Sequence, residues 1–137
     1  MNISFEIPGR PVPQERPIHL RSGWAYDPPK SKAAKRIIRG YATKAASDHF
    51  MLNKPSDNPF IVHLDFMGPH WGADIDNLTK LNLDAVKGIF WRDDHQVIEI
   101  HARKMRCPKG QEKTIVRIEE VVPRALVDLP NEKEKSK

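Results

Sequence analysis

Cysteine is almost absent from this chain. Cys107 is the single one, so no intrachain disulfide can form and cysteine-rich zinc modules are excluded. No run approaches the roughly 18–20 consecutive apolar residues needed to cross a membrane. The first residues, Met1-Asn2-Ile3-Ser4-Phe5-Glu6, have neither the basic start nor the apolar stretch of a secretory signal. An intracellular, cytoplasmic protein is therefore expected. Glycine-rich phosphate loops of the Walker or dinucleotide type are missing, so no nucleotide cofactor is expected. A Gly-x-Ser-x-Gly elbow is missing too, which leaves nucleophilic hydrolases without support.

What is present is enough for one core. The chain has 137 residues, 39% of them hydrophobic and 30% charged, which fits a single folded domain and argues against wholesale disorder. Its formal charge of +5 hides an asymmetry. Residues 10–44 carry nine Lys or Arg against two acids, whereas residues 60–100 carry seven acids against three bases. A basic half suits a polyanion, and an acidic centre can hold a cation.

Hydrophobic periodicity gives the order of elements. Asn2–Ile7 alternates as a strand and Pro8 stops it. Residues 8–30 hold six prolines and two glycines, which excludes helix and central strand and predicts a long loop. Ser31 can cap a helix running to about Met51, with Ala34, Ile37, Ile38, Tyr41, Ala45 and Phe50 as its apolar positions. A turn over 53–58 precedes a strand at Phe60–Met67, and a second helix starts at Asp74 or Asp76 and stops near Gly88. Two more strands, Val97–Lys104 and Thr114–Val122, flank a Pro108-Lys109-Gly110 turn that favours a hairpin. The expectation is an α+β single domain over residues 1–122. Two main helices pack on a mixed sheet of about four strands in the order β-α-β-α-β-β. Residues 123–137 should form a polar, disordered tail.

The chemistry concentrates in Asp74-Ile75-Asp76-Asn77-Leu78-Thr79-Lys80, then Asp84, then Asp93-Asp94. Two carboxylates separated by one residue can converge on a cation at a loop-to-helix junction, whereas inside a helix they would splay by about 200°. Hard oxygen ligands favour Mg²⁺ or Mn²⁺ over zinc. Asp93-Asp94 precedes the next strand, where a third ligand can be supplied, and Lys80 shares a helix face with Asp76. Other readings stay open at this point. Asp74 or Asp76 can be a helix cap, Asp76–Lys80–Asp84 a salt-bridge ladder, and Asp93-Asp94 an ordinary turn. An EF-hand does not fit, because position 78 is Leu and no glycine follows.

Taken together, Asp74-x-Asp76-Asn77-Leu78-x-Lys80, Asp84-Ala85, Gly88-Ile89-Phe90 and Asp93-Asp94-x-Gln96-Val97 closely resemble the RusA family of Holliday-junction resolvases. Ile7-Pro8-Gly9-Arg10-Pro11-Val12-Pro13 and Pro28-Pro29-Lys30 before a basic helix are similar to that family's N-terminal region. The resemblance spans roughly residues 3–120. It implies a small homodimeric, Mg²⁺-dependent endonuclease of bacteria and phages that resolves four-way DNA junctions in recombination and repair. By resemblance, Asp74, Asp76 and Asp94 are the metal-binding acids and Lys80 the essential lysine, with Asp94 favoured over Asp93. One departure is local: some members have arginines just before the first acid, where this chain has His70-Trp71-Gly72-Ala73.

Arg10, Arg16, Lys30, Lys32, Lys35, Arg36 and Arg39 are the candidate phosphate contacts. Trp91 is assigned to the core, while Trp24 and Trp71 sit in loops, where packing is the first reading and a wedge at a branch point the alternative. The six histidines have no ligand spacing, and only His70 and His95 lie near enough to the acids to suggest proton transfer. Two rival functions remain: a nuclease with broader preference for branched DNA, and a non-catalytic nucleic-acid-binding protein whose acids are structural.

Overall fold

β4 (Phe60–Gly68) is the axis of the molecule. Every second residue along it is buried (Phe60, Val62, Leu64, Phe66, Gly68) and the intervening ones are half-buried. This is the period-two pattern of a central strand with one fully covered face. The computed structural model describes residues 1–51, 54–69 and 72–122. The expected tail at 123–137, His70 and Trp71 lie outside the described residues.

Four strands form a mixed sheet in the order β1-β6-β4-β5, with β1 at Asn2–Pro8, β5 at Val97–Arg106 and β6 at Lys113–Glu120. β6 runs antiparallel to both β1 and β4, while β5 runs parallel to β4. The two helices, α1 (Pro29–Asp48) and α2 (Ile75–Val86), join one core cluster with the buried face of β4. This is the α+β single domain expected from periodicity.

The hairpin expected between the last two strands is not formed, because β4 lies between them. The turn itself exists: Gln111 N–H donates to Pro108 C=O at 3.1 Å, and Gly110 takes φ +90, a left-handed conformation that glycine adopts without strain. It carries the chain past the end of β4, where Cys107 N–H donates to Gly68 C=O. β4 pairs on its other side with β5, a parallel partner reached through α2, as parallel pairing requires a crossover.

Helix α1 begins earlier than a Ser31 cap would place it. Pro28 is the N-cap, with extended φ −56 and ψ 145, and Pro29 opens the first turn, where a missing N–H and a fixed φ cost nothing. Ser31 is fully buried instead, and its hydroxyl accepts the Glu15 N–H at 3.1 Å. The buried stripe is Ser31, Ile38, Ala42, Ala45 and Ala46, whereas Ile37, Tyr41 and Phe50 are exposed. The buried stripe is thus made mostly of small residues, and the bulkier Ile37 and Tyr41 face away from the core. At the C-terminus Phe50 N–H donates to Ser47 C=O and Met51 N–H to Ala46 C=O, with Phe50 at φ +58. That is the double bond of a Schellman stop, formed here around a phenylalanine.

The proline-rich segment is not wholly irregular. A small hairpin, β2 (Ile18–His19) with β3 (Ala25–Tyr26), stands within it. Only two residues per strand pair, too few to leave a periodic signal.

Candidate functional site

Helix α2 follows from its sequence. Leu78, Leu81, Ala85 and Val86 recur at helical spacing and are buried. Val86-Lys87-Gly88-Ile89 ends it: Ile89 N–H donates to Val86 C=O, Lys87 has φ −56 and ψ 133, and Gly88 has φ +82. These are the angles of a type II turn, whose third position demands a residue free to adopt positive φ.

Asp74 occupies the N-cap position with extended backbone, yet its carboxylate makes no cap hydrogen bond. Asp74 is thus the cap by position, its C=O accepting the Leu78 N–H at 3.0 Å, while its carboxylate is committed to no capping bond. Its place is fixed from the other side, since Lys104 Nζ on β5 donates to the Ala73 carbonyl at 2.7 Å. Asp76, Lys80 and Asp84 follow along one face of α2, as their spacing of four predicts. They form no salt-bridge ladder: among the described residues neither Asp76 nor Lys80 has an ion-pair partner, and Asp84 meets Lys35 at 3.9 Å.

Between this face and β5 lies an open cleft of about 630 Å³. Asp76, Lys80, Asp84 and Asp94 line it, with Val97 and Ile100 among its apolar walls. That wall depends on an irregularity. The β4–β5 register shifts between Phe60 and Ile61, so Phe60 pairs with Val97 but Val62 with Ile100. Simple alternation sets Val97 opposite Ile100; the shift brings both to the cleft.

Asp93 and Asp94 have different surroundings. Asp93 caps a 3₁₀ turn, Asp94–Gln96, in a reciprocal capping box with Gln96. The His95 backbone N–H, and then its ring, hold the Asp93 carboxyl below the usual carboxylate range. Asp94 is directed to the cleft and lies 3.7 Å from Lys87 Nζ. Gln96 organises the loop. Its Oε1 accepts from Arg92 N–H at 2.8 Å and Asp93 N–H at 2.9 Å, while its Nε2 donates to Ser56 C=O at 2.7 Å and Asn58 C=O at 2.9 Å. This buried amide uses all four of its hydrogen-bonding positions. Its structural role was missed in the sequence, although Asp-x-x-Gln is a legible capping-box signature. Trp91, fully buried against Phe60, is core as expected, and His95 is exposed.

A second cleft, of about 510 Å³, shares Lys80 and Asp84 with the first. Gln14, Arg16, Asp27, Lys35 and Asn77 also line it. Gln14 N–H donates to Asn77 C=O at 2.9 Å, which straps the proline-rich segment onto α2 beside the acids. Lys35 bonds Asp27 at 2.7 Å, and this contact above all holds the Asp27 carboxyl below its usual range.

The candidate phosphate contacts divide accordingly. Arg10, Arg16, Lys30, Lys32 and Arg36 have no salt bridge to any described residue and are exposed. Lys35 is committed to Asp27, and Arg39 Nη1 donates to Ala85 C=O and Lys87 C=O, both at 3.0 Å. Arg39 thus serves the C-terminal end of α2, where a cation also suits the helix dipole.

Among the described residues no three Asp, Glu, His or Cys side chains converge as a metal cage. The donor chemistry nevertheless fits a hard divalent ion. Asp76 and Asp94 are exposed carboxylates on one cleft, Asp74 precedes them with no cap bond, and exposed side chains change rotamer within nanoseconds.

No helix among the described residues is long and apolar enough to cross a membrane. No curated protein matches the chain. A family model described as endodeoxyribonuclease RusA matches residues 8–119, a span that contains both clefts and every element except β1, of which only Pro8 falls inside, and Glu120 of β6.

Proposed function

From the premise that this chain belongs to the RusA endodeoxyribonuclease family, and is an endonuclease, we propose that it resolves four-way DNA junctions by paired, symmetric nicks. We assign the nuclease domain to residues 1–122, with 123–137 as an appended tail. Asp74, Asp76 and Asp94 are the proposed holders of one or two divalent ions, Mg²⁺ with Mn²⁺ as a substitute. Such an ion supplies Lewis acidity at the phosphoryl oxygens and a water nucleophile near neutral pH.

The other steps belong to this chain's own side chains. Lys80 presents its ammonium to a non-bridging oxygen of the scissile phosphate and offsets the charge that builds up as the diester is attacked in line. Arg10, Arg16, Lys30, Lys32 and Arg36 hold flanking phosphates and set the register of the strand. Lys35 and Arg39 act through the scaffold, by fixing Asp27 and the end of α2. Two copies related by a two-fold axis would present two such sites to opposed strands of a pseudo-symmetric junction.

The observation that carries this reading is one cleft with three exposed carboxylates, Asp76, Asp84 and Asp94, and an unpaired lysine among its described lining residues. The test is a panel of four-way junction, flap, fork and linear duplex, each incubated with Mg²⁺ or with chelator. Paired nicks confined to the junction and to Mg²⁺ support the reading. Equal cutting of flap and fork would make the enzyme a broader branched-DNA nuclease, and no cutting with retained binding would leave the acids structural.

A further inference from the structure

The hairpin Ile18–Tyr26 exposes more apolar surface than its size warrants. Ile18, Leu20, Trp24 and Tyr26 are all exposed, and Trp24 is 74% accessible. Its geometry is defined nonetheless. Ile18 pairs with Tyr26 and His19 with Ala25, Leu20 N–H donates to Trp24 C=O at 2.8 Å, and Gly23 N–H donates to Leu20 C=O at 3.0 Å. Gly23 at φ +89 makes the turn a glycine bulge, which fixes the direction in which Trp24 leaves the strand.

Both legs of the hairpin are clamped at the rim of the Lys80 cleft. On the entering leg, Gln14 N–H bonds Asn77 C=O between Asp76 and Leu78, and Glu15 N–H bonds the buried Ser31 hydroxyl. On the leaving leg, Asp27 bonds Lys35 at 2.7 Å and meets Gln14 Nε2 at 3.3 Å. The base is therefore tied to both helices and the aromatic tip is in solvent. Arg16, Arg21, Lys30 and Lys32, in and beside the hairpin, are exposed and make no salt bridge to any described residue. Of the two nearby acids, Asp27 is neutralised by Lys35, and Glu15 alone is left.

We propose that this hairpin is a base-stacking pin, on which Trp24 receives an unpaired base at the branch point while the surrounding cations hold the adjoining phosphates. An exposed aromatic side chain in a segment rich in unpaired cations is the combination that recognises unstacked single-stranded nucleotides, since every base has a π-face and every linkage a charge. The Gln14–Asn77 clamp to α2, with the Ser31 and Lys35 clamps to α1, joins the pin to the cleft wall, so the base it captures lies on the strand presented to Lys80. This inference rests on the junction-directed reading above and adds how a branch is told from a duplex.

The test uses the full chain with Ca²⁺ in place of Mg²⁺. The probes are a four-way junction carrying 2-aminopurine beside the crossover and a linear duplex of the same sequence. Trp24→Ala should weaken junction binding roughly 5- to 100-fold, as expected for losing one stacked base, and abolish the 2-aminopurine change. Duplex affinity should stay within about twofold, and Trp24→Phe should restore most of both signals. An exposed tip tolerates these substitutions. Equal weakening on junction and duplex would overturn the pin, as would no change at all. A loss of self-association without a branch-specific effect would also overturn it and assign the surface to a second copy. Wild-type protein that cuts no branched DNA with Mg²⁺ would sink the function itself. Normal cutting by Trp24→Ala, with unchanged junction affinity, would sink only the pin.

Discussion

At the residue scale, Asp94, proposed as a metal-holding acid, stands in a loop held together by a neutral side chain. Gln96 ties the Arg92–Asp93 backbone to the Ser56 and Asn58 carbonyls through four hydrogen bonds, and Asp94 stands in the loop it organises. Gln96→Leu keeps the volume and leaves four backbone groups without that partner. An unsatisfied buried group costs about 1–3 kcal/mol. Some of these groups regain water at the surface, so a net loss of roughly 2–4 kcal/mol is expected, seen as a lower thermal midpoint. Cleavage should fall further than folding does, because Asp94 loses its position. The twin acids show what sequence can and cannot resolve here. Asp93 and Asp94 are chemically identical and adjacent, and only the capping box, with Asp93 bound to its own turn, separates their environments. The resemblance already favoured Asp94, and Asp94 is the one on the cleft.

At the scale of elements, spacing was legible wherever a single helix or strand decided the outcome. Asp76, Lys80 and Asp84 share a face because four residues overshoot one helical turn by only about 40°, and four sheet strands follow from alternation. Tertiary choices were not legible. Helix α1 carries two compatible apolar stripes, and the one buried is the stripe of smaller residues. The last two strands are neighbours in sequence, but β4 takes the place between them. The register shift that gathers Val97 and Ile100 at the cleft has no local signature either. Arg39 is a further case: read as a phosphate contact, it instead bonds the Ala85 and Lys87 carbonyls at the end of α2. Arg39→Ala should cost about 1–2 kcal/mol, the worth of a charged hydrogen bond near a helix C-terminus. Chemical denaturation measures that loss, and DNA affinity at fixed salt should change by less than for Arg16→Ala.

At the scale of the whole molecule, the formal charge of +5 is the residue of two opposed fields. The basic one runs from the proline-rich segment into α1, and the acidic one lies between α2 and β5. Each exposed cation that meets a duplex phosphate releases about 0.9 counterion. If Arg10, Arg16, Lys30, Lys32 and Arg36 all do so, log affinity should fall against log salt with a slope of roughly −4 to −5 per copy. Titration of duplex binding over increasing salt measures it, and a nearly flat line would remove the basic segment from the interface. The acidic field has the opposite sign of effect. It repels the backbone in the absence of a divalent ion, so neutralising one acid should leave binding unchanged or tighter while removing turnover.

That opposition gives the most direct measurement of the account: binding and Mg²⁺-dependent cleavage of one four-way junction by wild-type protein and by Asp76→Asn. The account predicts equal or tighter junction binding by Asp76→Asn, with cleavage reduced by roughly 100-fold or more, while the wild type makes paired symmetric nicks. Wild-type cleavage by Asp76→Asn would contradict it, because the acid that lines the cleft beside Lys80 would then have no part in the reaction.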